Sequence, residues 1–312
     1  MKKNISLLLV LVLSLGALAS CNFGEREKIN IGVMAGPTGM GMAKLMNDTA
    51  EDSELYSFDI YSAPTEATAD LASKELDMLC LPTNTAASLA AKQPGYISVI
   101  AINCLGSLYL MTDASTKINS ISDLEGKTIY ASVPTSTTGP IINYLLEQNG
   151  VNATVEFEAD HDALVAKVKN NQAAIVVLPE PKVTAALTQN SAYEVDLNLS
   201  AEWDKVSDQP LTMGCIVVRN EFLEENRYSV NKFLEDYKAS IEYINNKDNH
   251  ASAAQMIVDA GVLPKLPIAK NALTNLYGSI VYIDGQNMEN ALKGFYTAIG
   301  LASPDDEFYY EK

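Results

Sequence analysis

The stretch Ile29-Asn30-Ile31-Gly32-Val33-Met34-Ala35-Gly36-Pro37-Thr38-Gly39-Met40-Gly41-Met42 decides how the rest of the chain is read. A short apolar run gives way to Gly, Pro and Thr, after which Met42, Ala43, Met46 and Ala50 recur at helical spacing. The pattern predicts a strand, a tight turn and a helix over Gly39–Glu51. The first N–H groups of a helix lack intrahelical partners, and the dipole leaves partial positive charge there. Glycines let a ligand approach the backbone, so the turn can hold an anionic or carbonyl oxygen. An ordinary βα loop that binds nothing has the same residues, and one short motif does not choose between the two. Repetition of the device along the chain does.

From Lys28 to Ile102 strand-like and helix-like runs alternate: Phe58–Tyr61, Met78–Leu81 and Ile97–Ile102 as strands, Thr65–Leu76 and Thr85–Lys92 as helices. After an apolar run at Leu105–Met111 and a polar connection, a second series starts at Lys127–Ala131. It continues through Thr138–Gln148, Ala153–Phe157, Asp160–Asn170, Ala173–Leu178, Glu180–Gln189 and Tyr193–Leu197. Such alternation reads as βαβ units around mostly parallel sheets. Beyond Met213–Val218 the pattern is purely helical, with Ser229 opening a long helix and Pro267 another. The fold class is α/β in two lobes, each a mostly parallel sheet flanked by helices.

In open α/β sheets, ligands lie outside the carboxyl ends of the strands. The loops expected there are Gly36–Gly39, Pro82–Thr85, Pro134–Gly139 and Pro179–Pro181. Three are rich in Thr, Ser and Asn, whose donors suit a small polar or anionic group. Thr and Ser also cap helices routinely, but four such loops on one face are better explained by a cleft. Glu180, between two prolines, either accepts hydrogen bonds from a ligand amine or heterocyclic N–H, or is a solvated carboxylate at a helix start. No Lys or Arg lies in these loops. Asp160-His161-Asp162 reads as a charged helix start, because adjacent residues do not converge as metal ligands. Trp203, Tyr109 and Tyr61 can stack on a ligand ring or fill the core. Only two histidines are present, with no nucleophile elbow, P-loop or dinucleotide fingerprint, so neither catalysis nor a cofactor nor a metal is expected.

Lys2-Lys3, the apolar run Leu7–Leu18 and the small residues before Cys21 form a secretory signal over residues 1–20. Leu18-Ala19-Ser20-Cys21 resembles a bacterial lipobox, which implies lipidation of Cys21 and a short linker at 21–27. No later run approaches the ~20 apolar residues of a membrane helix. The formal charge of −17 argues against nucleic acid. Cys80, Cys104 and Cys215 sit in or beside apolar runs and are expected to be buried free thiols, although one disulfide is compatible with export.

With Ser122-Asp123-Leu124-Glu125-Gly126-Lys127-Thr128-Ile129 opening the second series, Asp162-Ala163-Leu164 leading to Ala173–Pro181, and a helical end from Asn220, the chain resembles a solute-binding protein of an ABC importer. It is similar, more narrowly, to the subgroup that binds taurine, alkanesulfonates, nitrate or pyrimidine precursors of thiamine. The resemblance implies the type II periplasmic-binding-protein fold, with lobe one at 28–111 plus 213–312 and lobe two at 112–212. It implies hinges near Leu110–Asp113 and Leu211–Gly214, and closure around a small-molecule ligand. Positions matching the family's ligand loops are Thr38, Gly39, Met40, Thr83, Asn84, Ser107, Ser136, Thr137 and Glu180, with Asp208-Gln209 weaker. The implied partners are a permease, its ATPase and, through Cys21, the membrane; a monomer is expected. Sulfonate and nitrate binders often place a basic residue near the anion, and its absence from these loops favours a neutral or amine-bearing ligand. Two other readings stay open: an enzyme of pyrimidine-precursor synthesis on the same fold, whose cysteine-rich motif is not visible here, and a ligand-sensing partner module.

Overall fold

The computed structural model describes residues 26–50, 54–132 and 137–312. The signal segment, Cys21 and Ser136 lie outside the described residues. The strands are β1 (Ile29–Met34), β2 (Tyr56–Tyr61), β3 (Met78–Pro82), β4 (Ile97–Leu105), β5 (Leu108–Asp113), β6 (Thr128–Ser132), β7 (Thr154–Glu158), β8 (Ile175–Pro179), β9 (Tyr193–Asn198), β10 (Thr212–Arg219) and β11 (Ile280–Ile283). They form a six-stranded sheet in the order β11-β4-β10-β3-β1-β2 and a five-stranded sheet in the order β7-β6-β8-β5-β9. In the first, β1 to β4 run one way, while β10, antiparallel to both β3 and β4, and β11, antiparallel to β4, return. In the second only β5 opposes the others. Each sheet with its helices is one lobe.

The helices are α1 (Pro37–Met40), α2 (Ala43–Asp48), α3 (Pro64–Ala72), α4 (Thr83–Lys92), α5 (Thr138–Gln148), α6 (His161–Lys169), α7 (Lys182–Gln189), α8 (Leu199–Trp203), α9 (Asn220–Glu225), α10 (Arg227–Asn245), α11 (His250–Asp259), α12 (Leu266–Asn275) and α13 (Gly285–Ala298). Strand alternation sends Leu79 and Leu81 to one core and Met78 and Cys80 to another, so the first sheet is covered on both faces. The core holding Leu79 continues into the second lobe through Trp203, which is fully buried between Tyr144 and Phe295. The Trp203 indole donates to the Gln209 carbonyl at 2.7 Å, and Tyr61 is buried with its hydroxyl on Asp70, so both serve the core.

Buried Arg219, ending β10, bonds Asp77 at 2.7 Å and the Leu76 carbonyl, while Asp77 also accepts from the Asn30 backbone. Three strands of the first sheet are pinned there. Cys80, Cys104 and Cys215 are free and buried; burial pushes the Cys80 and Cys104 thiols up to about 12. Among the described residues no helix is long and apolar enough to cross a membrane.

Three expectations need correcting. The helix expected from Gly39 breaks at Gly41-Met42, because α10 presses Ile241 and Ser240 into that turn. The Ser240 hydroxyl donates to the Gly41 carbonyl at 2.6 Å and accepts from the Leu45 N–H at 3.0 Å. The chain after Val218 is not purely helical, since Ile280-Val281-Tyr282-Ile283 pairs with β4 at the sheet edge. Leu110–Asp113 is not where the chain crosses between sheets: these residues lie inside β5, Leu110 to Thr112 pairing with both β8 and β9 and Asp113 with β9. The chain passes between sheets at Gly106-Ser107. There the Ser279 hydroxyl of the first lobe holds the Gly106 carbonyl at 2.7 Å, and the Glu180 N–H of the second holds the Ser107 carbonyl at 2.9 Å.

Candidate ligand site

Strands β7, β6 and β8 are neighbours, and their carboxyl ends place three polar groups along one edge. Ser132 ends β6, His161 opens α6 after β7, and Glu180 follows β8. The Ser132 hydroxyl lies 2.9 Å from that of Thr138, the first residue of α5, and 3.1 Å from His161 Nε2. Asp160 caps α6 by accepting from the Ala163 N–H, and Asp162 pairs with Lys182 at 2.5 Å. The two carboxylates thus face outward while the imidazole turns in. Burial, then the nearby Lys182 charge, pulls the His161 pKa below 6.5. With hydroxyls, an imidazole, a lysine close by and the positive end of the α5 dipole, this end suits an anionic group.

Glu180 is 2 % exposed. Its Oε1 accepts from Thr184 Oγ1 at 3.0 Å and from Asn275 Nδ2 at 2.6 Å, and its Oε2 accepts from the Thr184 N–H at 3.2 Å. Asn275 ends α12 in the other lobe. Tyr109, on β5, donates to the Asn275 carbonyl at 3.1 Å.

The first lobe supplies the loops after β1 and β3. Gly36 turns the chain at φ 104°, a conformation open chiefly to glycine. Asn103 donates to the Thr38 carbonyl at 3.2 Å, and Gly214 of β10 leaves room for both side chains. Gly39 owes its identity to packing, since a Cβ there would lie 2.2 Å from the Met34 carbonyl oxygen. The Met40 side chain is in the core. Thr83 is buried, its hydroxyl donating to the Thr212 carbonyl and its carbonyl accepting from Tyr296. Asn84 is buried in the first turn of α4. Thr137 precedes α5, and Ser107 lies on the crossing.

Thr38, Thr83 and Asn84 are therefore gathered at one lobe's strand ends, and Thr137 and Glu180 at the other's. Met40 turns away. Thr138 falls within the expected loop Pro134–Gly139; the residues not anticipated are Ser132, His161, Lys182, Asn103 and Asn275. Ser132 and His161 were readable as the last residue of one strand and the first helical residue after its neighbour. Asn275 carries no local signal. A groove of about 940 Å³ lies elsewhere, bounded by α5, residues 206–208 and α13, and includes none of these residues. No group of His, Cys, Asp and Glu among the described residues could hold a metal ion.

Residues 56–257 match the family model described as ABC transporter, phosphonate, periplasmic substrate-binding protein. No curated protein matches the chain. Among solved structures, an ABC transporter protein from Parabacteroides distasonis is similar at TM-score 0.74 and 19 % identity, over 92 % of this chain and 99 % of its own. The periplasmic aliphatic sulphonate binding protein of Escherichia coli is similar at TM-score 0.73 and 14 % identity, over 92 % and 93 %. The periplasmic nitrate-binding protein of Synechocystis PCC 6803 follows at 0.61 and 13 %, over 85 % and 75 %. At these identities the likeness is one of fold.

Proposed function

This chain belongs to the periplasmic substrate-binding proteins of ABC transporters of the phosphonate family, and from that premise we propose that it captures a small zwitterion, an aminoalkylphosphonate or the matching sulfonate, between its lobes. It does so without chemistry, as a monomer anchored through lipidated Cys21, and delivers the ligand to a permease and its ATPase. One observation carries the reading. The hydroxyl–imidazole group of Ser132, Thr138 and His161 and the buried carboxylate of Glu180 stand at the ends of neighbouring strands, one suited to each pole of such a ligand. The amine pole answers Glu180; the anionic pole answers the start of α5, where Thr137 adds a donor, and Ser136 is proposed as a further donor from its place in the sequence alone. Thr38, Gly39, Met40, Thr83, Asn84 and Ser107 contribute side chains or backbone from the facing loops and the crossing.

The test is calorimetric titration with 2-aminoethylphosphonate and with ethylphosphonate, which lacks the amine. The zwitterion should bind at least about tenfold more tightly, because a hydrogen bond to a charged group contributes about 1.5–3 kcal/mol. Glu180→Ala should erase the difference, and Asn84→Ala should weaken both. Equal affinities for the two probes in the wild type, or no binding of either, would remove this ligand class. The contact between Ser132 and His161 also has the form of a nucleophile and its base. Recovery of the ligand unchanged after prolonged incubation, read by mass spectrometry, is expected and excludes turnover.

A further inference from the structure

Glu180 and Asn275 come from different lobes, and their 2.6 Å contact is the shortest of the three that Glu180 accepts. We propose that Asn275 is a latch: it ties the lobes together through Glu180, and it leaves that carboxylate a single place for a ligand donor. The placement of Glu180 in the cleft rests on the reading above; the cross-lobe contact does not.

A carboxylate has two oxygens and about four acceptor positions. Oε1 takes two donors, from Asn275 and Thr184, and is filled. Oε2 takes one, from the Thr184 N–H, and has a position left. Burying a carboxylate is costly unless it is hydrogen-bonded, so the lobes cannot part at this point without returning Glu180 to water or to another donor. Asn275 is pinned from both sides: its amide donates to Glu180, and its carbonyl accepts from the Tyr109 hydroxyl of the same opposing lobe. Both contacts run between the end of α12 and the elements β5 and β8–α7, so they resist the same separation. A ligand amine joining Oε2 would share the carboxylate with the latch instead of displacing it. Ligand and latch would then favour the same closed state, and only the competent fraction of the population binds without a further cost.

The effect can be read without a ligand. In a Cys21→Ser chain the three remaining cysteines are buried, so spin labels attach at Lys92→Cys on α4 and Lys169→Cys on α6, both exposed. The ligand-free protein should give one short interlobe distance. Asn275→Ala should shift most of the population to longer distances, and Tyr109→Phe part of it. Asn275 is exposed, so its truncation removes no core packing, and Thr184 still bonds Glu180 in both variants, so both should stay folded and unfold cooperatively. Asn275→Ala should also weaken 2-aminoethylphosphonate about tenfold by raising its dissociation rate. Unchanged distances in Asn275→Ala overturn the latch, whatever binds. Opening in that variant, with neither phosphonate binding the wild type, sustains the latch and overturns the ligand assignment instead.

Discussion

His161 shows how a residue acquires a role from its surroundings. Its sequence context, flanked by aspartates, reads as a solvated helix start, and the aspartates do stay outside. The imidazole is half-buried against Ser132, and burial lowers its pKa. In the unfolded chain it protonates near the ordinary 6.5; in the folded protein it protonates only at lower pH. Between those values the unfolded state binds more protons, so folding stability from this group is complete above pH 6.5 and is lost as pH falls toward the lowered value. Thermal melts of His161→Asn across pH 7 to 4 should therefore show a shallower decline than the wild type; parallel curves would remove the effect. Glu180 was legible because two prolines stiffen it at a strand end. Its partner was not, because Asn275 is one exposed asparagine at a helix terminus 95 positions away, and nothing local distinguishes it.

At the scale of elements, the parallel units were legible because buried strands read as short apolar runs between turn residues. What hid was tertiary in origin. The break between α1 and α2 is imposed by Ser240 and Ile241 of α10, and β11 is too short to show a period of its own. The crossing hid inside a single apolar run. Gly106 is needed there because a Cβ would lie 1.9 Å from Ser200 Oγ and 2.5 Å from its Cβ, so the two connections between lobes touch. Gly106→Ala should cost about 1–3 kcal/mol by overpacking and lower the melting midpoint by several degrees. Adding Ser200→Gly should restore most of that loss. A double variant no better than the single one would show that another neighbour sets the limit.

At the scale of the whole molecule, the two sheets differ in how they are drawn from the chain. The second uses one contiguous stretch, Leu108–Asn198. The first has β10 wedged between β3 and β4, and β11 outside β4, so four of its strands precede the whole second lobe and two follow it. Pairings so distant in sequence form late, because a long loop must first be closed. Pulse-labelled hydrogen exchange during refolding should protect Ile175–Pro179 before Ile97–Leu105; the reverse order would refute this. The arrangement also bears on biogenesis. A chain threaded through a membrane amino end first delivers β1 to β4 long before the strand that belongs among them. For a chain exported in that way, β3 and β4 would present apolar edges to a gap until Thr212–Arg219 emerged, and those edges would need shielding in the interval.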